Sequence, residues 1–216
     1  MCDLQMFEGR SRGEQIKLVR DCLVAYGISA VPSRNRRGLK STYYLGETAV
    51  YGVVHKPSSK EEEFVLVDRD FYEQYLADGK GTISLVRCDG KLYYKAILSR
   101  EKTKNPVHRK TLEAAGCDLE GKVVDHIVHE RMINTRDFLR PCTGSQNAAN
   151  RINAKKQAGA VDGDVFQTDY REDFAYNPVL DFRDTWYALV LYKMTGISGE
   201  EVCAYNRDYM RRQGRL

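Results

Sequence analysis

The most informative part of the chain is residues 122–151, which read KVVDHIVHERMINTRDFLRPCTGSQNAANR. Two valines begin a short predicted strand that ends in the pair Asp125 and His126. A polar loop follows, and residues 139–143 are interpreted as a strand that returns beside the first. The pattern predicts a strand, an irregular loop and a second strand, with the Asp-His pair at the point where the first strand ends.

A helix is predicted directly after the second strand, over about residues 145–157. Either Thr143 or Ser145 can cap it, because a side-chain oxygen there accepts the free N–H groups of the first turn. Arg151 and Lys155 lie on this helix with no acidic residue among them. The predicted helix is therefore basic.

Such a strand–loop–strand–helix unit can bring Asp125, His126 and Asn147 together. A neutral imidazole accepts a proton from water near neutral pH, as phosphodiester hydrolysis requires. Carboxylate and amide oxygens suit one hard divalent cation, which relieves charge at a phosphate and at the leaving oxygen. The residue types are sufficient for metal-assisted phosphodiester hydrolysis.

The ordered series resembles the HNH nuclease motif, in the form found in phage and intron-encoded homing endonucleases. The matching residues are Val124, Asp125, His126, Leu139, Arg140, Thr143, Ser145, Gln146, Asn147, Asn150 and Arg151. The resemblance extends more weakly to a Val-Asp…Tyr pattern at residues 67–72 and to a His-Arg pair at residues 108–109. It implies a ββα-metal fold and cleavage of double-stranded DNA.

The resemblance also implies a role for each polar residue. His126 would be the general base, and Asp125 with Asn147 would hold one Mg²⁺ or Mn²⁺ ion. Residues expected to support the site are Asn134, Asp137, Asn150 and His108. Residues expected to contact DNA phosphates are Arg140, Arg151, Lys155 and Arg109. His129 is interpreted as a solvated loop residue.

Phe138 departs from the family pattern, which has an asparagine at this place. The side-chain carbonyl of that asparagine orients the catalytic histidine, and a phenyl ring accepts no hydrogen bond of this kind. Three interpretations stay open. Asp137 takes over the role, Asn134 takes it over, or the nuclease is slow or inactive.

The N-terminal part of the chain predicts a mixed region with an antiparallel sheet. Helical spacing over about residues 13–26 ends at Gly27. The predicted strands are residues 49–55, 63–67, 83–87 and 91–98, and the last two flank Asp89-Gly90, a typical hairpin turn. A short helix is predicted at residues 70–76. The basic stretch 33–40 is either a solvated loop or an arm that contacts phosphate.

Residues 99–121 are interpreted as an irregular connection, and two helices are predicted after the motif. The first covers about residues 181–194, where the apolar residues around Trp186 favour a core position. The second covers about residues 198–213 and begins with Ser198 and Glu201 in a capping-box pattern.

Composition limits the class of protein without identifying it. The chain has 216 residues, a formal net charge of +4 and six cysteines, with no C-x-x-C pair that would suggest a zinc site. No apolar run is long enough to span a bilayer. We expect free thiols in a reducing cytoplasm, that of an infected bacterial host if a phage encodes the chain. The expected partner is double-stranded DNA, and a monomer is favoured.

The sequence thus predicts an α+β protein with three parts. Residues 1–100 form the mixed N-terminal region, residues 101–158 the ββα-metal unit, and residues 159–216 a helical region. The predicted function is a metal-dependent HNH endonuclease that nicks DNA at each active site. The alternative is an HNH-fold protein that binds DNA but has lost catalysis, an interpretation that Phe138 favours.

Overall fold

The computed structural model of the chain describes residues 2–34, 40–55, 61–87, 94–100, 103–150 and 174–216. Strands and helices are mixed within these ranges, which confirms the predicted α+β class. The helices are α1 (Arg12–Ala25), α2 (Arg69–Tyr75), α3 (Val107–Ala114), α4 (Gly144–Ala149), α5 (Trp186–Thr195) and α6 (Gly199–Arg212). The strands are β1 (Ala30–Arg34), β2 (Lys40–Leu45), β3 (Ala49–His55), β4 (Glu62–Asp68), β5 (Thr82–Arg87), β6 (Tyr94–Arg100), β7 (Thr103–Pro106), β8 (Val123–His126), β9 (Ile133–Asn134) and β10 (Leu139–Cys142).

The largest sheet has the strand order β1-β2-β3-β4-β9. Its two central strands, β3 and β4, are buried along almost their whole length. Strands that are covered on both faces read as continuous apolar runs, as these do. α1 and α5 pack against each other and against this pair of strands. The sheet and the two helices form the main core of the protein.

Helix α1 follows the sequence prediction closely. Ser11 accepts the main-chain N–H of Glu14, and the Glu14 carboxylate accepts the main-chain N–H of Ser11, which makes a complete capping box. Ile16, Val19 and Leu23 bury one face of the helix. Gly27 follows with φ of 76°, a conformation that glycine adopts without steric cost.

Aromatic stacking joins the two ends of the chain within the core. Trp186 of α5 stacks on Phe64 of β4, with ring centroids 4.0 Å apart. Tyr187 stacks in the same way on Phe7, at 4.4 Å. The prediction that Trp186 belongs to the core is confirmed. The core contains residues from all three predicted regions, whose boundaries stay a prediction.

The parallel pairing of β4 with β9 connects the central region to the N-terminal sheet. Leu66 lies opposite Ile133, and Val67 lies opposite Asn134. β9 belongs to the loop between the two strands of the motif, so this loop continues the sheet at its edge. The consequence for the candidate site is that Asn134 takes its position from β4.

The motif forms the elements that the sequence predicts. β8 and β10 pair antiparallel, with Asp125 opposite Arg140 and His126 opposite Leu139. α4 follows and packs against β8. Thr143 rather than Ser145 is the cap, and Gln146 completes a capping box with it. The predicted extension of this helix beyond Asn150 lies outside the described residues, as does the basic stretch 35–39.

A separate sheet of β5, β6 and β7 confirms the predicted pairing of the hairpin strands, since β5 and β6 are antiparallel. Residues 99–121, however, are not an irregular connection. β7 pairs with β6 at the sheet edge, and α3 follows it and buries Val107, Thr111 and Leu112. The prediction failed because α3 contains too few apolar residues to show a clear helical period in the sequence.

The prediction of free thiols is wrong for Cys2 and Cys22, which form a disulfide with their Cα atoms 6.2 Å apart. This bond ties the N-terminal 3₁₀ turn Leu4–Phe7 to α1. Cysteines 20 residues apart show no local pattern that would reveal their pairing. Cys117, Cys142 and Cys203 are free.

The C-terminal helices are confirmed, although the first begins later than predicted. A 3₁₀ turn at Pro178–Leu180 precedes it. The carboxylate of Asp181 then accepts the main-chain and guanidinium N–H groups of Arg183, which stabilises a turn in place of a helix. None of the described helices combines the length and the apolarity that crossing a membrane requires.

Candidate active site

His126 is the last residue of β8 and faces a buried amide. The side-chain oxygen of Asn134 lies 3.4 Å from Nε2 of His126, and Asn134 is fully buried. The Asn134 amide N–H donates to the main-chain oxygen of Arg131 at 3.2 Å, which keeps the carbonyl oxygen directed at the imidazole. In the tautomer that makes this bond, Nε2 carries the proton and Nδ1 holds the lone pair.

Burial lowers the pKa of His126 to about 4, although the bond to Asn134 acts in the opposite direction. The imidazole is therefore neutral at pH 7, which is the form that accepts a proton. A second imidazole is close by, because the ring of His108 on α3 stands edge-on to that of His126 with centroids 5.3 Å apart. The structure thus brings His108 to the predicted site.

Of the two residues predicted to replace the missing asparagine, only Asn134 reaches His126 in these contacts. Asp137 points to another element, since its carboxylate accepts the ammonium N–H of Lys193 on α5 at 2.6 Å. Phe138 is 4% exposed and belongs to the main core. The departure from the family pattern therefore has a structural reason, because position 138 packs inside the protein.

The carboxylate of Asp125 is buried and held from two sides. Its Oδ2 accepts the Arg140 guanidinium Nε–H at 2.9 Å and the Asn150 amide N–H at 2.9 Å. Arg140 is the cross-strand partner on β10, and Asn150 is the first residue after α4. The Oδ2 atom of Asp125 thus connects both strands and the helix, and the guanidinium of Arg140 compensates the carboxylate charge.

Asn147 lies on α4, one turn before Asn150 and on the same helix face. It is half-buried. The bond between Asn150 and Asp125 holds this end of α4 against β8, and the Thr143 capping box fixes the beginning of the helix. The order of elements therefore brings the helix of Asn147 to the strand of Asp125.

The donor set fits a hard divalent cation with few protein ligands. Asp125 offers carboxylate oxygens, of which Oδ2 accepts the N–H groups of Arg140 and Asn150, and Asn147 offers an amide oxygen. Mg²⁺ takes oxygen ligands and usually keeps several waters, so two protein donors suffice. The described part of the chain holds no group of three or more His, Cys, Asp or Glu side chains arranged for a metal.

Two of the residues predicted to contact phosphate make intramolecular bonds in the structure. Arg140 is 2% exposed and pairs with the buried carboxylate of Asp125. Arg109 donates to the main-chain oxygens of Leu119 and Lys122, which stabilises the turn before β8. The other two predicted contacts, Arg151 and Lys155, lie outside the described residues.

The interpretation of His129 as a solvated loop residue is wrong. Its φ is 62°, in the left-handed region, and its ring stands edge-on to Tyr176 with centroids 5.1 Å apart. Nε2 is buried without a hydrogen-bond partner among the described residues, and burial lowers the pKa of the imidazole. The side chain packs beside the site.

The sequence reasoning missed Thr111 of α3. Its buried hydroxyl lies 3.2 Å from the main-chain oxygen of Asn134 and 3.0 Å from that of Val107. Thr111 therefore supports the residue that faces His126. A single threonine inside a segment interpreted as irregular gives no signal by which this role could be recognised.

Comparison with known proteins finds one similarity that bears on this site. A protein of Acanthamoeba polyphaga mimivirus, described as an uncharacterized HNH endonuclease, is 27% identical in an alignment of 145 residues. That alignment covers 59% of this chain and 70% of the viral protein. No family profile and no solved structure matches the chain. The chain is thus distantly similar to a protein described as an HNH endonuclease. Residues 122–151 resemble the HNH motif.

Proposed function

We propose that the chain is a metal-dependent endonuclease of the HNH type that hydrolyses phosphodiester bonds in double-stranded DNA. The observation that carries this proposal is the pairing of a neutral His126 with the buried amide of Asn134, next to the fixed carboxylate of Asp125. The viral relative, which is described as an HNH endonuclease, supports the same class. One such site cuts one strand, so each active site produces a nick.

His126 serves as the general base in this proposal. Its Nδ1 takes a proton from water as the water oxygen bonds to phosphorus, and the bond from phosphorus to the leaving sugar oxygen breaks. The imidazole then carries a positive charge. The carbonyl of Asn134 stabilises that charge through the Nε2–H bond, and it also keeps Nδ1 in the accepting tautomer.

Asp125 and Asn147 would hold the cation. Bound there, Mg²⁺ or Mn²⁺ supplies charge relief at the phosphate and at the leaving oxygen. Arg140 and Asn150 keep the Asp125 carboxylate in place, so the carboxylate does not have to reorient when the cation binds. Such preorganisation is the usual contribution of a protein to a metal site.

The test is cleavage of a supercoiled plasmid and of phage or bacterial host DNA in Mg²⁺ or Mn²⁺. Wild type is compared with His126→Ala and with His55→Ala, a matched control at the end of β3. We expect nicking by wild type and by His55→Ala, loss of nicking with His126→Ala, and inhibition by EDTA.

The alternative is an HNH-fold protein that binds DNA without cutting it. Salt-sensitive binding by wild type, without cleavage in either metal, supports this alternative and refutes the nuclease proposal. Equal cleavage by wild type and His126→Ala refutes the assignment of the base. A protein that neither binds nor cleaves DNA contradicts both functions.

A further inference from the structure

The loop that carries Asn134 is hydrogen-bonded to the N-terminal sheet through β4. Leu66 donates its main-chain N–H to the oxygen of Met132 at 2.8 Å. Val67 lies opposite Asn134 in the parallel pair of β4 and β9. β4 is therefore one of the elements that set the distance between the Asn134 carbonyl and the His126 imidazole, together with Thr111 of α3.

Asp68 follows Val67 and ends β4. Its side chain is 7% exposed, and Oδ2 accepts the main-chain N–H of Arg136 at 3.0 Å. The guanidinium of Arg136 approaches the same oxygen, with Nε at 3.4 Å. A buried carboxylate that binds a main-chain N–H fixes the course of the chain there, two residues after Asn134.

Asp70 provides a contrast within the same cluster. Its carboxylate also pairs with the guanidinium of Arg136, but its side chain is 66% exposed and it makes no bond to the main chain of Arg136. Ion pairs as exposed as this contribute little to stability. Asp68 and Asp70 thus pair with the same guanidinium, but only Asp68 is buried and accepts the main-chain N–H of Arg136.

We propose that Asp68 is a positioning residue of the active site, which holds the main chain at Arg136 and thereby keeps the Asn134 carbonyl against His126. The family resemblance of the Val67-Asp68 segment gives no role to this carboxylate, whereas the structure gives it one through its hydrogen bond. The inference rests on the proposed function only in taking His126 as the base. The orientation of the imidazole is measurable whether or not the protein cleaves DNA.

The experiment uses the full chain labelled with ¹⁵N-histidine and records the imidazole nitrogens by NMR. The His126 signals are assigned from their loss in His126→Gln. In wild type we expect one dominant tautomer, with the proton on Nε2. Asn134→Ala defines the spectrum of an unoriented His126, a mixture of both tautomers.

Asp68→Ala should shift the His126 signals to those of Asn134→Ala, whereas Asp70→Ala should leave them as in wild type. Asp68→Asn, which keeps an accepting oxygen, should restore them. If the nuclease proposal holds, Asp68→Ala should also lower kcat by roughly 10- to 100-fold with little change in KM. Wild-type His126 signals in a folded Asp68→Ala protein would refute the inference.

A second pair of variants breaks the same bond from its other side, in case Asp68→Ala does not fold. Arg136→Pro removes the N–H donor, and the preceding Thr135 already has the φ of −84° and ψ of 146° that precede proline readily. Arg136→Ala keeps the donor and removes only the guanidinium. We expect tautomer mixing with proline and not with alanine. The same spectrum in both variants contradicts a role for the main-chain bond.

Discussion

At the scale of single residues, the candidate site depends on where one amide is placed. Asn134 meets His126 because its main chain is held in β9 and its side-chain N–H is held by Arg131. Because Asn134 supplies the acceptor, position 138 does not have to, and Phe138 packs in the core. The same requirement, an acceptor for the imidazole N–H, is met from a different position of the loop.

The lowered pKa of His126, about 4, predicts an unusual pH profile for cleavage. An ordinary imidazole has a pKa of about 6.5, so it would lose its function as a base below that pH. His126 stays neutral down to about pH 4 because burial disfavours its charged form. We expect single-turnover nicking to be nearly constant from about pH 7.5 to about pH 5.5. A rate that falls tenfold per pH unit below about pH 6.5 would contradict this prediction.

The lowered pKa of His126 also makes the free energy of unfolding depend on pH. Between about pH 6.5 and the folded-state pKa, the unfolded chain binds a proton at this position and the folded chain does not. His126 therefore contributes stability above about pH 6.5, and this contribution decreases as the pH falls toward 4. Denaturant unfolding at a series of pH values gives the free energy of unfolding of wild type and of His126→Gln. The difference between the two slopes of this free energy against pH measures the contribution of His126.

Phe138→Asn is expected to damage the protein rather than to restore a family active site. The ring is 4% exposed, so the change leaves a cavity and buries an amide. We expect the free energy of unfolding to fall by about 3–5 kcal/mol, without an increase in cleavage. Phe138→Leu is the control, and it should cost less because it stays apolar. Faster cleavage by Phe138→Asn would show that position 138 faces the site.

At the scale of elements, the hairpin of β8 and β10 and the helix α4 are joined by one buried ion pair. Asp125 and Arg140 lie opposite each other across the strands, and Asn150 reaches the same oxygen from the helix end. Arg140 therefore serves to hold the three elements together.

Removing one member of this pair should be costly. Arg140→Met leaves the Asp125 carboxylate buried without its cation, and we expect a loss of about 3–5 kcal/mol in the free energy of unfolding. Arg109→Met, at a half-exposed arginine of α3, is the control and should cost about 1 kcal/mol or less. The double variant Asp125→Leu with Arg140→Met should recover part of the loss. Urea unfolding checks all of these, and equal losses for Arg140→Met and Arg109→Met would contradict a buried pair.

At the scale of the whole molecule, both ends of the chain close over the central sheet. Phe7 stacks on Tyr187, and Arg212 of α6 pairs with Glu8. The arginine-rich C-terminal tail is therefore engaged at least in part within the protein, as Arg215 also pairs with Asp184. The disulfide adds a covalent link to the same N-terminal segment.

The disulfide should contribute to stability and not to catalysis. Closing a loop of 20 residues restricts the unfolded chain by about 3 kcal/mol in the chain-entropy model. We expect the double variant Cys2→Ser with Cys22→Ser to lose about this much free energy of unfolding while its cleavage rate stays unchanged. Urea unfolding of wild type with and without a reductant gives an independent measurement. An unchanged midpoint in both comparisons would show that the link is not formed in solution.

Local patterns in the sequence determined the α+β class, most helices and strands, and the order of elements around Asp125 and His126. These features succeed because caps, apolar periods and turn residues act over a few neighbouring positions. The same patterns failed for α3, where three buried residues define the face, and they left Asp137 and Asn134 as equal alternatives.

Only the tertiary structure decided which groups meet across long separations. The pairing of Val67 with Asn134, the bond from Arg136 to Asp68, the burial of Arg140 against Asp125 and the link between Cys2 and Cys22 all join residues that no local period relates. A hydrogen bond or a buried ion pair depends on distance and on exclusion from water, and both are fixed only when the sheet, the hairpin and the helices have packed.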